Sequence, residues 1–119
     1  MRCAPDEITA LTADGVTLRI DHLRPPNGVP RGAIVCLHAM MTDGRYFGAR
    51  KGDDAFAQVL AREGFEVFVP DFRGHGRSQP PTATRDDWSF DDLVELDLPA
   101  IVTACAAAAS CTASDLVLL

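Results

Sequence analysis

Two short apolar runs, residues 33–37 (Ala-Ile-Val-Cys-Leu) and residues 65–69 (Phe-Glu-Val-Phe-Val), stand one helix-length apart. No other feature constrains the fold as strongly. The first does not alternate with polar residues, as expected of a strand buried on both faces of a parallel sheet. Between the runs, Asp53 or Asp54 is placed to cap a helix whose apolar positions Phe56, Val59 and Leu60 fall at i, i+3 and i+4, and Gly64 is placed to end it. Strand, helix and strand in that order require a right-handed crossover and parallel pairing, which makes the class α/β.

The flanking segments extend this unit. Residues 7–12 and 17–23 read as two strands of an antiparallel hairpin, with Asp14-Gly15 supplying the positive φ angles of a tight turn. Pro25, Pro26, Asn27, Gly28 and Pro30 mark a surface loop. A second loop, residues 71–85, is broken by Pro80 and Pro81 before Ser89 and Asp92 set up a capping-box start to another helix. That helix is expected to break into two pieces near Pro99 and to continue as a small-residue helix over residues 101–109. Residues 116–119 are another unalternated apolar run. A parallel strand there leaves one ladder edge and two apolar faces needing cover, so further sequence is expected beyond Leu119.

Composition narrows the class of partner. With 47% hydrophobic and 24% charged residues, the 119-residue chain fits one globular domain spanning residues 1–119. A net charge of −6 without any basic run argues against nucleic acid. No apolar stretch reaches the roughly 18–20 residues of a membrane span, and Asp6 and Glu7 stand where a secretory signal needs an apolar core. A cytoplasmic protein is the expectation. The four cysteines form no C-x-x-C pair and are read as reduced thiols, with Cys36 and Cys105 as small buried hydrophobes; a Cys105–Cys111 disulfide is the alternative.

The order strand, His38-Ala39-Met40-Met41, helix, strand, Asp71-Phe72-Arg73-Gly74-His75-Gly76-Arg77-Ser78 resembles the amino-terminal half of the α/β-hydrolases, particularly their serine-hydrolase and lysophospholipase-like branches. The stretch from Trp88-Ser89-Phe90-Asp91-Asp92 to Asp97-Leu98-Pro99-Ala100 is similar to the corresponding region of acid lipases. The resemblance implies a partial α/β-hydrolase fold, with an antiparallel first hairpin, parallel strands and flanking helices, truncated at the strand before the nucleophile elbow. A Gly-x-Ser-x-Gly elbow would follow residues 116–119, with an acid and a histidine farther on, so no catalytic residue is assigned within the chain. Ser78 is not taken as the nucleophile, because Gly76-Arg77-Ser78-Gln79-Pro80 lacks the second glycine and follows the wrong strand.

One part of the machinery falls inside the chain. In related hydrolases the loop after the third strand begins His-Gly-x, and the x residue donates its backbone N–H to the oxyanion. The matching residues are His38-Ala39-Met40, so Met40 is the candidate donor, with His38 and Ala39 supporting the loop. Alanine resists the positive φ that glycine accepts, which implies a negative φ at Ala39 or a differently shaped hole. The competing role for Met40 and Met41 is to plug the top of the sheet.

The remaining polar residues read as architecture. His38 can brace loop backbone as a neutral imidazole, His75 is a loop side chain, and His22 is expected to be exposed on its strand. Asp71 and Arg73, with Gly74 and Gly76, suit a turn in which a carboxylate accepts several N–H groups and a guanidinium forks onto carbonyls or an acid. Gly74-x-Gly76 is not a dinucleotide fingerprint, since position 79 is glutamine and no helix opens there. The acidic set Asp86, Asp87, Asp91, Asp92, Glu95 and Asp97 lacks metal-loop spacing and reads as a solvated face with helix-start charges. No metal and no cofactor are expected.

The resemblance implies hydrolysis of an ester, thioester or amide of a small or lipid-like molecule through an acyl-enzyme in the intact product, the 119-residue chain alone being inactive. Dehalogenases and epoxide hydrolases with an aspartate nucleophile stay open while the elbow is absent. The alternative from another class is a non-catalytic half-sheet module for binding or dimerisation.

Overall fold

A computed structural model of the chain describes residues 3–39, 42–79 and 88–119. Its strands are β1 (Asp6–Leu11), β2 (Thr17–Leu23), β3 (Ala33–Val35), β4 (Glu66–Pro70) and β5 (Leu116–Leu118). They form one sheet in the order β1-β2-β4-β3-β5. The hairpin β1–β2 and the pair β2–β4 are antiparallel, whereas β3 pairs in parallel with β4 on one side and β5 on the other. Ladder bonds run past the assigned ends of β3: Cys36 N–H donates to Phe68 O, and Leu37 N–H to Leu119 O.

The hairpin forms where expected, by a different turn. Only Gly15 has a positive φ, at 87°, and Asp14 stays in the ordinary region. Thr12 closes the loop instead: its N–H donates to Val16 O, its carbonyl accepts from Gly15 N–H, and its hydroxyl accepts from Val16 N–H.

Helix α1 (Phe56–Arg62) joins β3 to β4 but buries a different face from the one its apolar spacing marks out. Ala57, Gln58 and Ala61 are buried, while Phe56 and Val59 are exposed. Small side chains let the helix axis approach the sheet against Leu23, Ile34, Val67 and Val69. Gln58 is tolerated inside because its amide donates to Cys3 O and Ala49 O and accepts from Cys3 N–H. The helix also starts later than Asp53 and Asp54 suggest. Its N-cap is Ala55, with no side-chain cap, whereas Gly64 stops it at φ 103° as expected.

On the opposite face, α2 (Phe90–Asp92), a π turn (Leu93–Asp97) and α3 (Leu98–Ala109) follow one another without a break, in place of two separate pieces. The Ser89–Asp92 capping box opens the run. In the π turn Leu98 N–H reaches back five residues to Leu93 O, immediately before Pro99, which has no N–H to donate. The register therefore slips where the ladder would have lost a bond anyway. Ile101 and Cys105 of α3 then pack on Leu18, Ile20, Val35 and Phe68.

His22 corrects the sequence reading most sharply. It is 1% exposed, stacks on Phe68 at 4.3 Å between ring centroids, and places Nε2 2.5 Å from Glu66 Oε2. Its neighbour across the ladder is Phe68, on the face that α3 covers, so register decides its burial. All four cysteines are unbridged, and burial pushes the Cys36 and Cys105 thiols up to about 12.

Candidate functional site

From β3 the chain crosses through α1 to β4 on one side, and from β4 through α3 to β5 on the other. The carboxyl end of β3 is therefore a topological switch point, where open α/β sheets bind ligands. The residues that leave β3 there are Cys36, Leu37, His38 and Ala39.

His38 is buried and bonded at both ring nitrogens: Nδ1 donates to Ala39 O at 2.8 Å, and Nε2 accepts from Phe72 N–H at 3.0 Å. That pairing requires the neutral ring protonated on Nδ1. Burial lowers its pKa, with the nearby His75 adding to the effect. The imidazole thus ties the loop after β3 to the loop after β4. Ala39 O is gripped a second time by the Thr42 hydroxyl at 2.8 Å. Ala39 itself lies outside the left-handed region, since Ser110 alone among the described non-glycine residues has a positive φ. The loop follows the alternative that alanine implies. Met40 and Met41 lie outside the described residues.

The loop after β4 is built around Asp71. Its Oδ1 accepts from Gly44 N–H at 2.6 Å and its Oδ2 from Arg77 N–H at 3.1 Å. Gly76, at φ 52°, is where the turn closes on that carboxylate: a Cβ there would lie 2.3 Å from Oδ2. Gly74, at φ 71°, gives the same clearance to the Trp88 indole. Ser78 is buried, accepts from Arg19 N–H and donates to Asp71 O. Its hydroxyl is consumed by backbone.

Arg73 forks as a guanidinium in such a turn can, but onto two acids. Nη1 and Nη2 bond Asp14 at 2.8 and 2.9 Å, and Nε bonds Asp97 Oδ1 at 2.8 Å. Asp97 is fully buried, which removes it from the solvated acidic face assigned to it by its spacing. The π turn aims it inward. Burial raises the Asp97 carboxyl against the pull of Arg73, whereas the same guanidinium holds the more exposed Asp14 below the usual carboxylate range. Asp86 and Asp87 lie outside the described residues. Sequence reasoning missed both partners of Arg73: Asp14 passed as a turn former, and nothing in Asp97-Leu98-Pro99 marks a π turn.

Two clefts flank the His38 loop at this edge of the sheet. On the α3 side an apolar one of about 180 Å³ is walled by Leu37, His38, Ala39, Phe72, Phe90 and Val94. On the α1 side a larger one of about 480 Å³ is lined by charged residues, among them Asp43, Arg45, Lys51 and Arg77. The apolar cleft suits a hydrocarbon portion of a ligand and the charged one a polar or ionic group. No group of three or more His, Cys, Asp or Glu among the described residues could hold a metal ion. Among the same residues no helix is long and apolar enough to cross a membrane.

Residues 32–98, more than half of the chain, match a family model described as alpha/beta hydrolase fold. The tear acid lipase-like protein of Mesocricetus auratus is 26% identical over 110 residues, which cover 82% of this chain and 27% of that protein. Lipase member N of Mus musculus is 28% identical over 108 residues, with coverage of 82% and 27%. The chain thus spans little more than a quarter of the length of these relatives. Among solved structures, a hypothetical protein of Pseudomonas aeruginosa superposes with a TM-score of 0.76 at 22% identity, covering 98% of this chain and 35% of that one. An esterase of Pyrococcus furiosus gives 0.63 at 22% identity, covering 88% and 37%. Both share the fold.

Proposed function

The chain belongs to the α/β-hydrolase fold family, and from that premise we propose that residues 1–119 are the amino-terminal part of a single-domain hydrolase acting on an ester, thioester or amide of a small or lipid-like molecule. The observation that carries this is the position of the loop after β3: it lies at the switch point, is held through both nitrogens of His38, and borders an apolar cleft, while residues farther along the same connection line a charged one. The lipases among its relatives favour an ester.

In this reading the Met40 backbone N–H is one of the oxyanion donors, with His38 and Ala39 supporting it, and Asp71, Arg73, Gly74 and Gly76 fix the neighbouring loop. The nucleophilic serine, its histidine and its acid come from sequence beyond this stretch. The serine oxygen adds to the acyl carbon as histidine takes its proton. The leaving alkoxide, thiolate or amine departs with that proton. Water then adds to the acyl-enzyme, releasing the acid and restoring the serine. Residues 1–119 alone are inactive. Four unbridged thiols favour a reducing compartment such as the cytoplasm.

One observation favours a second reading, a half-sheet module that binds or dimerises. Val117, Leu118 and Leu119 are 53%, 45% and 52% exposed at the β5 edge, an unusual exposure for such residues. Sequencing the transcript and genomic DNA past codon 119 separates the two. A Gly-x-Ser-x-Gly frame within a few residues, followed by fluorophosphonate labelling of the expressed product, is the expected result. A stop codon with no recoverable frame, together with a stable oligomer of the chain in sedimentation, would retire the hydrolase in favour of the module.

A further inference from the structure

The charged cleft reverses the sign of the molecule around it. The chain carries 11 basic and 17 acidic residues, yet the cleft is lined by four basic side chains, Arg45, Arg50, Lys51 and Arg77, and three acidic ones, Asp21, Asp43 and Asp71. The acids are already engaged. Asp71 is buried and its two oxygens accept from the N–H groups of Gly44 and Arg77. Asp21 is shared by two guanidiniums, those of Arg50 and Arg77, at 2.9 and 2.6 Å.

Lys51 and one arm of the Arg45 guanidinium remain available. Lys51 makes no ion pair among the described residues. Arg45 forks onto Asp43 through Nε and Nη2 but leaves Nη1 without a partner among the described residues, on a side chain that is 86% exposed. Arg45 precedes α1 on the loop that leaves β3, and Lys51 lies on the same connection, so both flank the carboxyl edge where His38 sits. The charges of Asp43 and Asp71 act on the His38 ring from this side, which places the cleft within electrostatic reach of the candidate oxyanion loop.

We propose that this cleft holds the anionic group of the substrate, a phosphate or carboxylate carried on its leaving portion, with Arg45 and Lys51 as the recognising side chains. The assignment of the anion to a substrate rests on the hydrolase reading; the anion site itself does not. The open arm of a guanidinium and a mobile ammonium suit a phosphate or carboxylate, and their reach sets a preference for a charged over a neutral leaving group.

The first test is calorimetric titration of the 119-residue chain at constant ionic strength with glycerol 3-phosphate, inorganic phosphate, acetate and glycerol. Saturable binding of glycerol 3-phosphate but not glycerol is expected, weakened about tenfold or more by Arg45→Glu combined with Lys51→Glu. Inorganic phosphate or acetate binding alike identifies the part of the anion recognised. Heats no larger than those of sodium chloride, or binding indifferent to the charge reversal, would overturn the proposal. Both side chains are exposed, and circular dichroism checks that the variant folds.

The second test uses the intact gene product. A 1-acylglycerol 3-phosphate is expected to exceed the neutral 1-acylglycerol in kcat/KM, and the double variant to bring that ratio down toward one. Equal turnover of the two, unchanged by the variant, counts against the site as a substrate determinant. If neither is hydrolysed and fluorophosphonate does not label the product, the serine-hydrolase reading fails and the titration alone decides the anion site.

Discussion

Arg73 and Asp97 meet twice: Nε donates to Oδ1 at 2.8 Å, and the Arg73 backbone N–H donates to Oδ2 at 2.8 Å. The carboxylate is fully buried and the guanidinium nearly so, and the pair joins the loop after β4 to the π turn ahead of α3. Removing one partner of such a pair leaves an uncompensated buried charge, at a cost of about 3–5 kcal/mol. Arg73→Gln is therefore expected to lower the stability of the chain by that amount in urea unfolding. Asp97→Asn should cost less, since an amide keeps an acceptor for one of the two N–H groups and Arg73 retains Asp14. Equal, small losses would show the pair to be ornamental.

The hairpin end of the same cluster predicts a pH dependence. Arg73, helped by the Thr12 hydroxyl, holds the Asp14 carboxyl below its usual range. A carboxylate whose folded pKa is depressed contributes stability that is present above its unfolded pKa of about 3.9 and is lost as the pH falls through the lower folded value. The unfolding free energy should fall on acidification below about pH 4. Asp14→Asn, which cannot titrate, should flatten that decline while lowering stability at neutral pH. The urea midpoint measured from pH 6 down to pH 2 checks both.

What could be read from the chain beforehand follows from which interactions are local. The βαβ unit, the hairpin and the Ser89–Asp92 capping box depend on apolar runs and near-neighbour hydrogen bonds, and the structure has all three. The face of α1 was not legible, because Ala57 and Ala61 gain from close approach to a sheet whose position no local pattern encodes. His22 escaped for the same reason: its burial depends on the ladder partner, Phe68, forty-six residues away in sequence. At the site, Asp71 and Arg73 carried recognisable turn chemistry, but their long-range partners Gly44, Asp14 and Asp97 did not. Thr42, which grips Ala39 O beside His38, has no motif at all.

Gly76 and Gly15 separate backbone strain from steric conflict. Both have positive φ, at 52° and 87°. A Cβ at Gly15 meets nothing within 4 Å, whereas one at Gly76 lies 2.3 Å from an Asp71 oxygen that Arg77 N–H also holds. Gly15→Ala should cost roughly 1 kcal/mol for the left-handed conformation alone. Gly76→Ala should cost about 1–3 kcal/mol more, because it also displaces the carboxylate from Gly44 and Arg77. Thermal unfolding of the two variants side by side is the measurement. Equal losses would mean that the loop after β4 relaxes freely and does not depend on Asp71.

His38 gives the last expectation, since its two bonds fix both its tautomer and its titration. With Nδ1–H donating to Ala39 O and Nε2 accepting from Phe72 N–H, a second proton on Nε2 would have to expel the Phe72 amide. The ring should appear in ¹⁵N–¹H spectra as the Nδ1–H neutral form at pH 7 and titrate below the ordinary histidine value of about 6.5. For a histidine whose folded pKa is lowered, the stabilising contribution is present above the unfolded pKa and is lost as the pH falls through the folded one. His38→Ala leaves the Phe72 N–H without its acceptor and removes one donor to Ala39 O, an expected loss of about 1–3 kcal/mol at pH 7. That loss should shrink as the wild-type ring protonates on acidification. A difference between the two proteins that stays constant from pH 7 to pH 5 would mean that His38 contributes packing against Phe72 and not the bridge between the two loops.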